Sequence, residues 1–336
     1  MIIMSLDILF INQDEVTQLL SMPEVIDAVE EAFKEKGLGL VQMPPKVYVY
    51  FNKYNGDFRV MPAYLTGKDI AGVKVVNVHP ENPTKYNLPT VMATVILLDP
   101  KTGAPIAIIE GSLLTAYRTG AAGGIAIKYL ARKDSRILSI VGAGVQGHFQ
   151  LLAAHVVMKQ IDEVRVVDIR KEVAKKFAEE MSRKLDLNII PYSSEEMEKA
   201  VKGADILITT TPVRKPIIKN EWVSEGMHIN AIGADAPGKE ELDPQILKRA
   251  KVVVDDIEQA SHSGEINVPI SKGLFSVDEI YAELGEIVAG MKPGRESDDE
   301  ITIFDSTGLA IQDVATGFLV YNKAKEKGLG KVLRFF

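Results

Sequence analysis

The segment Ile140-Val141-Gly142-Ala143-Gly144-Val145-Gln146-Gly147 constrains this chain more than any other. An apolar run, read as a strand over 136–141, leads directly into glycines spaced G-x-G-x-x-G, and helical periodicity follows over 146–158. Gly142 permits the tight turn, Gly144 lets backbone approach a pyrophosphate, and Gly147 allows close helix–strand packing. The helix start offers N–H groups and a favourable dipole to phosphate. Asp168 follows Gly147 by about 20 residues, at the end of the next strand, where an acidic side chain accepts ribose hydroxyls. The alternative is a glycine-rich turn beside a surface aspartate. Strand, spacing and acid agree, so a dinucleotide site is expected. Asp168 repels a 2′-phosphate, which points to NAD over NADP, and Arg170 nearby softens that preference.

Strands are predicted further on at 164–168, 187–190, 206–209, 228–231 and 252–255, with helices at 172–185, 195–202 and 244–249. Such alternation implies an α/β Rossmann domain, a parallel sheet covered on both faces. The first hundred residues read differently. Asn12 and Glu15 form a capping box before a short helix, and Pro23 opens a second whose buried stripe is Val25, Ile26, Val29 and Phe33. Strands at 47–51, 57–61, 72–78 and 91–98 follow without helices between them, the pattern of an antiparallel or mixed sheet in an α+β domain. A helix over 112–131 is rich in small residues, including Gly120, Gly123 and Gly124. Each glycine costs a helix about 1 kcal/mol relative to alanine, so another backbone or a ligand is expected to come close. A final helix over 308–326, with Ile311, Val314, Ala315 and Phe318 inward, is expected to return to the first domain, leaving it discontinuous.

Composition narrows the function classes. The chain is 336 residues long, 46% hydrophobic and 25% charged, which is globular, with no stretch apolar enough to span a membrane. A net charge of −7 argues against nucleic acid as the main partner. With no cysteine there is no disulfide, thiolate metal site or cysteine nucleophile, and the five histidines lack metal-ligand spacing, so no metal is expected. Met1-Ile2-Ile3-Met4 has no basic signal-peptide region ahead of Asp7 and Asp14; a cytoplasmic location is the expectation.

Further motifs span nearly the whole chain: Met43-Pro44-Pro45-Lys46, Val78-His79-Pro80, Leu88-Pro89-Thr90-Val91-Met92-Ala93, Arg118-Thr119-Gly120-Ala121-Ala122, Thr210-Thr211-Pro212, Asn230 through Leu242, Gly264-Glu265-Ile266 and Phe304-Asp305-Ser306-Thr307-Gly308. With the fingerprint among them, the sequence resembles the ornithine cyclodeaminase/mu-crystallin family, most of all its archaeal alanine dehydrogenase branch. The resemblance implies a homodimer formed through a substrate-binding domain of residues 1–118 and 306–336, and a Rossmann NAD-binding domain of residues 119–305. An active site between the two is implied as well.

The resemblance also implies the site residues. Lys46, Arg59, Lys74 and Arg118 line the substrate side, and Arg118 is the best carboxylate clamp because guanidinium binds it bidentately. Asp235 is the general acid/base, since C–N chemistry needs a proton moved at nitrogen, and Lys74 is a second proton carrier. As a bare residue each of these cations reads first as a solvated surface charge, above which family position lifts Lys74 and Arg118, and Asp235 has the alternative of a turn aspartate. The cofactor set implied is Thr90, Arg118, Thr119, Gly142, Ala143, Gly144, Val145, Gln146, Gly147, Asp168, Ile169, Arg170, Thr210, Thr211, Pro212, Ala231, Ile232, Gly233, Lys239 and Ser306.

Three activities share the family scaffold: an amino-acid dehydrogenase such as alanine dehydrogenase, a Δ1-pyrroline-2-carboxylate reductase forming L-proline, and ornithine cyclodeaminase with NAD as catalytic cofactor. Cyclodeaminases carry a glutamate that holds the diamine in the strand matching residues 56–62. Here that place is taken by Arg59, whose charge repels an ornithinium. The expectation is therefore an NAD(H)-dependent oxidoreductase acting on the α C–N bond of a small amino or imino acid. Between the dehydrogenase and the reductase the sequence does not choose. A non-catalytic, NADPH-holding protein like mu-crystallin is the alternative of another class, and Asp168 and Asp235 argue against it.

Overall fold

The computed structural model describes residues 5–336; Met1–Met4, and with them the reading of the N-terminus, lie outside the described residues. The chain divides into two compact units, Met1–Arg118 with Leu309–Phe336, and Thr119–Gly308.

The first unit is built on an eight-stranded mixed sheet. Its strands are β1 (Asp7–Ile11), β2 (Val41–Gln42), β3 (Val47–Phe51), β4 (Gly56–Leu65), β5 (Ile70–Val78), β6 (Val91–Leu98), β7 (Pro105–Glu110) and a C-terminal strand, Lys331–Arg334. Spatially the order is C-terminal strand, β1, β7, β6, β5, β4, β2, with β3 also on β4. The capping box forms: Asn12 Oδ1 accepts from Glu15 N at 3.1 Å, and Asn12 N donates to Glu15 Oε2 at 2.9 Å. In the helix Met22–Gly37, Val25, Ile26, Val29 and Phe33 are all buried.

The last helix, Ala310–Lys327, packs on β4, β5 and β6 and against the helix Met22–Gly37. Small residues allow the approach, since a Cβ on Gly317 would lie 3.2 Å from Val95 and one on Gly72 3.2 Å from Val314. Strand pairing sets out two rows across this sheet. Met61, Lys74, Val95, Ile109 and Ile11 lie side by side on the helix-covered face and are all buried. Pro62, Val73, Ile96, Ile108 and Phe10 make the adjacent row, on the opposite face by strand alternation. Lys74 is the one charge in the buried row.

The second unit carries a parallel sheet: β8 (Ile137–Val141), β9 (Glu163–Asp168), β10 (Ile189–Ser193), β11 (Ile206–Thr209), β13 (His228–Ala231), β15 (Ala250–Val254), β16 (Ala282–Glu283) and β17 (Ile301–Asp305), with the small pair β12 (Arg214–Ile218) and β14 (Glu240–Leu242) apart. The order is β10-β9-β8-β11-β13-β17-β15-β16. Chain direction of travel reverses between β8 and β11, so the crevice beyond their carboxyl ends is where an α/β sheet of this kind takes a ligand. The glycines of the helix Gly111–Leu130 meet the helix Val145–Val157: a Cβ on Gly120 would lie 2.5 Å from Phe149 O, and one on Gly123 would overlap Gln150 Oε1.

Some elements differ from the sequence expectation. The strand expected at 187–190 is Ile189–Ser193 and includes Pro191, which an edge strand tolerates because one side needs no N–H. β1, β7 and β17 were not foreseen, and neither were the short helices Ile257–Ser263 and Asn267–Ser271. Among the described residues no helix is long and apolar enough to cross a membrane.

Candidate active site

In the second unit, Gly142 adopts φ +110°, a left-handed value only glycine takes comfortably, and a Cβ there would lie 2.5 Å from Thr210 Oγ1. Thr210 Oγ1 donates instead to Gly142 O at 2.9 Å, locking β8 to β11 at the turn. A Cβ on Gly147 would overlap Gly142 O. Gly144 is the N-cap of Val145–Val157, without a side-chain cap, and the space where its Cβ would stand is open. An open glycine over uncapped helical N–H groups is the cradle a pyrophosphate requires.

Asp168 ends β9 beside that cradle. Its Oδ2 accepts from Ala143 N at 3.1 Å and its Oδ1 from Arg170 N at 2.9 Å, so the carboxylate is aimed by backbone. Arg170 Nε is 3.8 Å from Asp168 Oδ1 on a mostly exposed side chain. Ile169 is 86% exposed, an apolar surface where an adenine can rest. Val145 and Gln146 open the helix, and Thr119 O accepts from Gln150 Nε2 at 2.9 Å. These residues fit a dinucleotide without alteration.

Two loops at the carboxyl edge carry Thr210-Thr211-Pro212 and Ala231-Ile232-Gly233. Both hang on Glu241, a residue the sequence reading left without a role. Its Oε1 accepts from Thr211 N at 2.7 Å and Thr211 Oγ1 at 2.6 Å, and its Oε2 from Thr209 Oγ1 at 2.7 Å and Gly233 N at 2.9 Å. Ser306 N donates to Ala231 O at 3.0 Å. Asp235 follows Gly233, and Lys239 Nζ lies 2.5 Å from Asp235 Oδ1 and 3.3 Å from Gly233 O. Lys239, expected on the cofactor, is thus joined to the candidate acid.

The first unit gathers Lys74 and Arg118 on Asp313. Lys74 Nζ is 2.8 Å and Arg118 Nε 2.9 Å from the same oxygen, Oδ1, and all three side chains are buried. A second nitrogen of Arg118 donates to Gln312 Oε1 at 2.8 Å. Burial, and next the Arg118 charge, bring the Lys74 ammonium down to about 7, against the pull of Asp313; Lys46 is a further, smaller lowering influence. Asp313 was not foreseen. Its one sequence signal is an acid inside the apolar stripe of Ile311, Val314 and Ala315. Arg59 is engaged elsewhere, with Nε 3.2 Å from Asp57 Oδ1 and its guanidinium 5.2 Å from the Tyr48 ring centre. Thr90 O accepts from His79 N at 2.8 Å, immediately before β6.

Residues 7–328 match the model of the ornithine cyclodeaminase/mu-crystallin family. The chain is 54% identical over 332 residues to an alanine dehydrogenase of Archaeoglobus fulgidus, covering 98% of this chain and 99% of that protein. It superposes with a TM-score of 0.92 on an archaeal alanine dehydrogenase dimer with bound NAD, at 53% identity, covering 98% of this chain and all of that one. The same TM-score, at 46% identity over 96% of this chain and 99% of that one, relates it to the Δ1-pyrroline-2-carboxylate reductase of Thermococcus litoralis in complex with NADH and L-proline. The chain therefore belongs to the ornithine cyclodeaminase/mu-crystallin family, as an NAD(H)-dependent oxidoreductase acting at the C–N bond of an amino or imino acid.

Proposed function

We propose that the chain interconverts L-alanine with pyruvate and ammonia. Reduction of Δ1-pyrroline-2-carboxylate to L-proline is the second reading, favoured by the likeness to the Thermococcus litoralis enzyme. The observation that favours alanine over the cyclic imine is the 54% identity to the Archaeoglobus fulgidus alanine dehydrogenase, over nearly all of both chains; what restricts both readings to a monocarboxylate is the buried trio of Lys74, Arg118 and Asp313. With Lys74 protonated it has one net positive charge, which a single carboxylate balances. Both candidate substrates bring one carboxylate, next to the reacting carbon. An ornithinium brings a second cation toward a cluster already positive, so cyclodeaminase activity is set aside.

NAD(H), when bound, supplies or takes up the hydride at the substrate α-carbon. Gly142 through Gly147, Asp168, Ile169, Arg170, Thr210 through Pro212, Ala231 through Gly233 and Ser306 would hold it, together with Thr90, Arg118, Thr119 and Lys239. Arg118 clamps the substrate carboxylate, fixing the α-carbon for reaction. Lys74 assists the clamp, and Lys46 and Arg59 border it. Asp235 exchanges a proton with the substrate nitrogen. Residues 1–118 with 306–336 serve substrate binding and dimerisation, and residues 119–305 bind NAD. The apolar row of Pro62, Val73, Ile96, Ile108 and Phe10 is the surface offered to a second copy, in keeping with the dimeric archaeal relative.

The test is NADH oxidation with pyruvate plus ammonia, with Δ1-pyrroline-2-carboxylate, and with neither, alongside ornithine and catalytic NAD. Turnover on pyruvate plus ammonia that exceeds the cyclic imine supports the first reading. The reverse order supports the second. Turnover on neither, or on ornithine alone, refutes both.

A further inference from the structure

We infer that Asp313 is a positioning residue for this reaction, holding Lys74 and Arg118 on one of its carboxylate oxygens and thereby forming them into a single receptor for the substrate carboxylate. The inference rests on the reading of Lys74 and Arg118 as the carboxylate site. Lys74 sits in a sheet row whose other members are Met61, Val95, Ile109 and Ile11, where an apolar side chain would continue the packing. A buried ion pair adds little to stability compared with such packing, so stability alone does not account for the charges. Two cations drawn together in a low-dielectric interior repel, and the shared Oδ1 offsets that repulsion from 2.8 and 2.9 Å.

The geometry is directional as well. Arg118 is held by Asp313 through Nε and by Gln312 through a terminal nitrogen, two consecutive residues of the last helix. Gln312 Oε1 also accepts from Leu309 N at 3.3 Å, which fixes it at the helix start. Asp313 Oδ2 and Gln312 Nε2 are buried with no hydrogen-bond partner among the described residues. An acceptor and a donor so placed, beside the two cations, suit a polar ligand with its own donors and acceptors. The charged groups facing Lys74 are Arg118 from the helix Gly111–Leu130, Asp313 from the last helix, and Lys46 from the segment between β2 and β3. Asp313 alone among them favours the ammonium, so its loss shifts the protonation of Lys74 toward lower pH.

The test is the pH profile of kcat/KM for the active substrate in Asp313→Asn. At pH 8 the substrate KM should rise at least tenfold, and at pH 6 less than threefold, with NADH affinity within twofold of wild type. Asp313→Glu should restore the wild-type pH dependence even at lower absolute rates. A loss equal at every pH, or no change in KM, overturns the inference. Should Asp313→Asn fail to fold, Lys74→Met/Asp313→Asn removes both charges together. Beyond Lys74→Met it should show only a pH-independent rise in KM, from the Arg118 that Asp313 no longer holds, and a further loss that grows with pH, or no further change, overturns the inference. Lys74→Met and Arg118→Ala test the underlying reading separately: if both keep the wild-type KM, the carboxylate site is misplaced whatever Asp313 does.

Discussion

Glu265 accepts two backbone hydrogen bonds from Glu241 N, at 2.9 and 3.0 Å, and a third from Leu242 N at 2.7 Å, and both glutamate side chains are fully buried. The strand that carries Glu241 is thus held by a second acid, and through Glu241 the two loops of the cofactor side are held in turn. Burial, followed by the Glu241 charge, raises Glu265 well above the ordinary carboxylate range. A carboxyl pushed toward its neutral form is close in character to an amide, which replaces it at little cost. Glu265→Gln should change stability by less than about 1 kcal/mol, whereas Glu265→Leu strands the two N–H donors at about 1–3 kcal/mol each. The sign of the pH effect follows from the raised value: the contribution is complete below the unfolded glutamate range and is lost as pH rises through the folded value. Urea midpoints should fall with rising pH above the ordinary glutamate range in the wild type and be flatter in Glu265→Gln.

Cofactor choice rests on Asp168. With its carboxylate aimed by Ala143 N and Arg170 N, a 2′-phosphate meets a fixed negative charge. NADH should bind at least tenfold better than NADPH, on the order of 1.4 kcal/mol. Fluorescence titration of both cofactors measures the ratio, and Asp168→Ser should narrow it. Equal affinity, or a preference for NADPH, would remove Asp168 from the ribose site.

Lys74 sets a pH dependence of its own. At about 7 it is charged below neutrality and neutral above, so the substrate KM should be flat at acid pH and climb as pH rises through that value. A bound carboxylate favours the ammonium, so the alkaline limb of kcat should lie at higher pH than that of kcat/KM. Calorimetry of pyruvate binding at pH 8, in buffers of different ionisation enthalpy, should register proton uptake. Proton release would contradict the assignment.

The row of Pro62, Val73, Ile96, Ile108 and Phe10 predicts a dimer. Sedimentation should show two chains, and Ile96→Glu should shift the protein toward monomer by burying a charge at the centre of the row. A wild-type monomer at micromolar concentration would refute the interface.

What could be read beforehand divides along physical lines. The Gly142–Gly147 turn and Asp168 were legible because backbone demands fix both the residue type and the spacing. β8, β9 and β11 were legible as apolar runs bounded by turns. Asp313, Glu241 and Glu265 were not, since each acts on residues far off in sequence: Asp313 on Lys74 and Arg118, Glu265 on β14. A buried acid looks like a surface acid until its partners are known. The pairing of Lys239 with Asp235 was hidden for a similar reason, because their i,i+4 relation lies in a loop, where helical spacing gives no guide. β17 is five buried residues directly behind the acidic run Asp298-Asp299-Glu300, too short and too uniformly buried for alternation to mark it as a strand.

The most direct test of the mechanism is steady-state turnover of Asp235→Asn on the active substrate, with NADH affinity measured on the same preparation. Asparagine keeps the shape and can still bond Lys239, but it cannot carry the proton. The account predicts a fall in kcat of about 10²–10⁴ with NADH binding essentially unchanged. Near-normal turnover in Asp235→Asn would contradict it, and proton transfer to the substrate nitrogen would pass to Lys74.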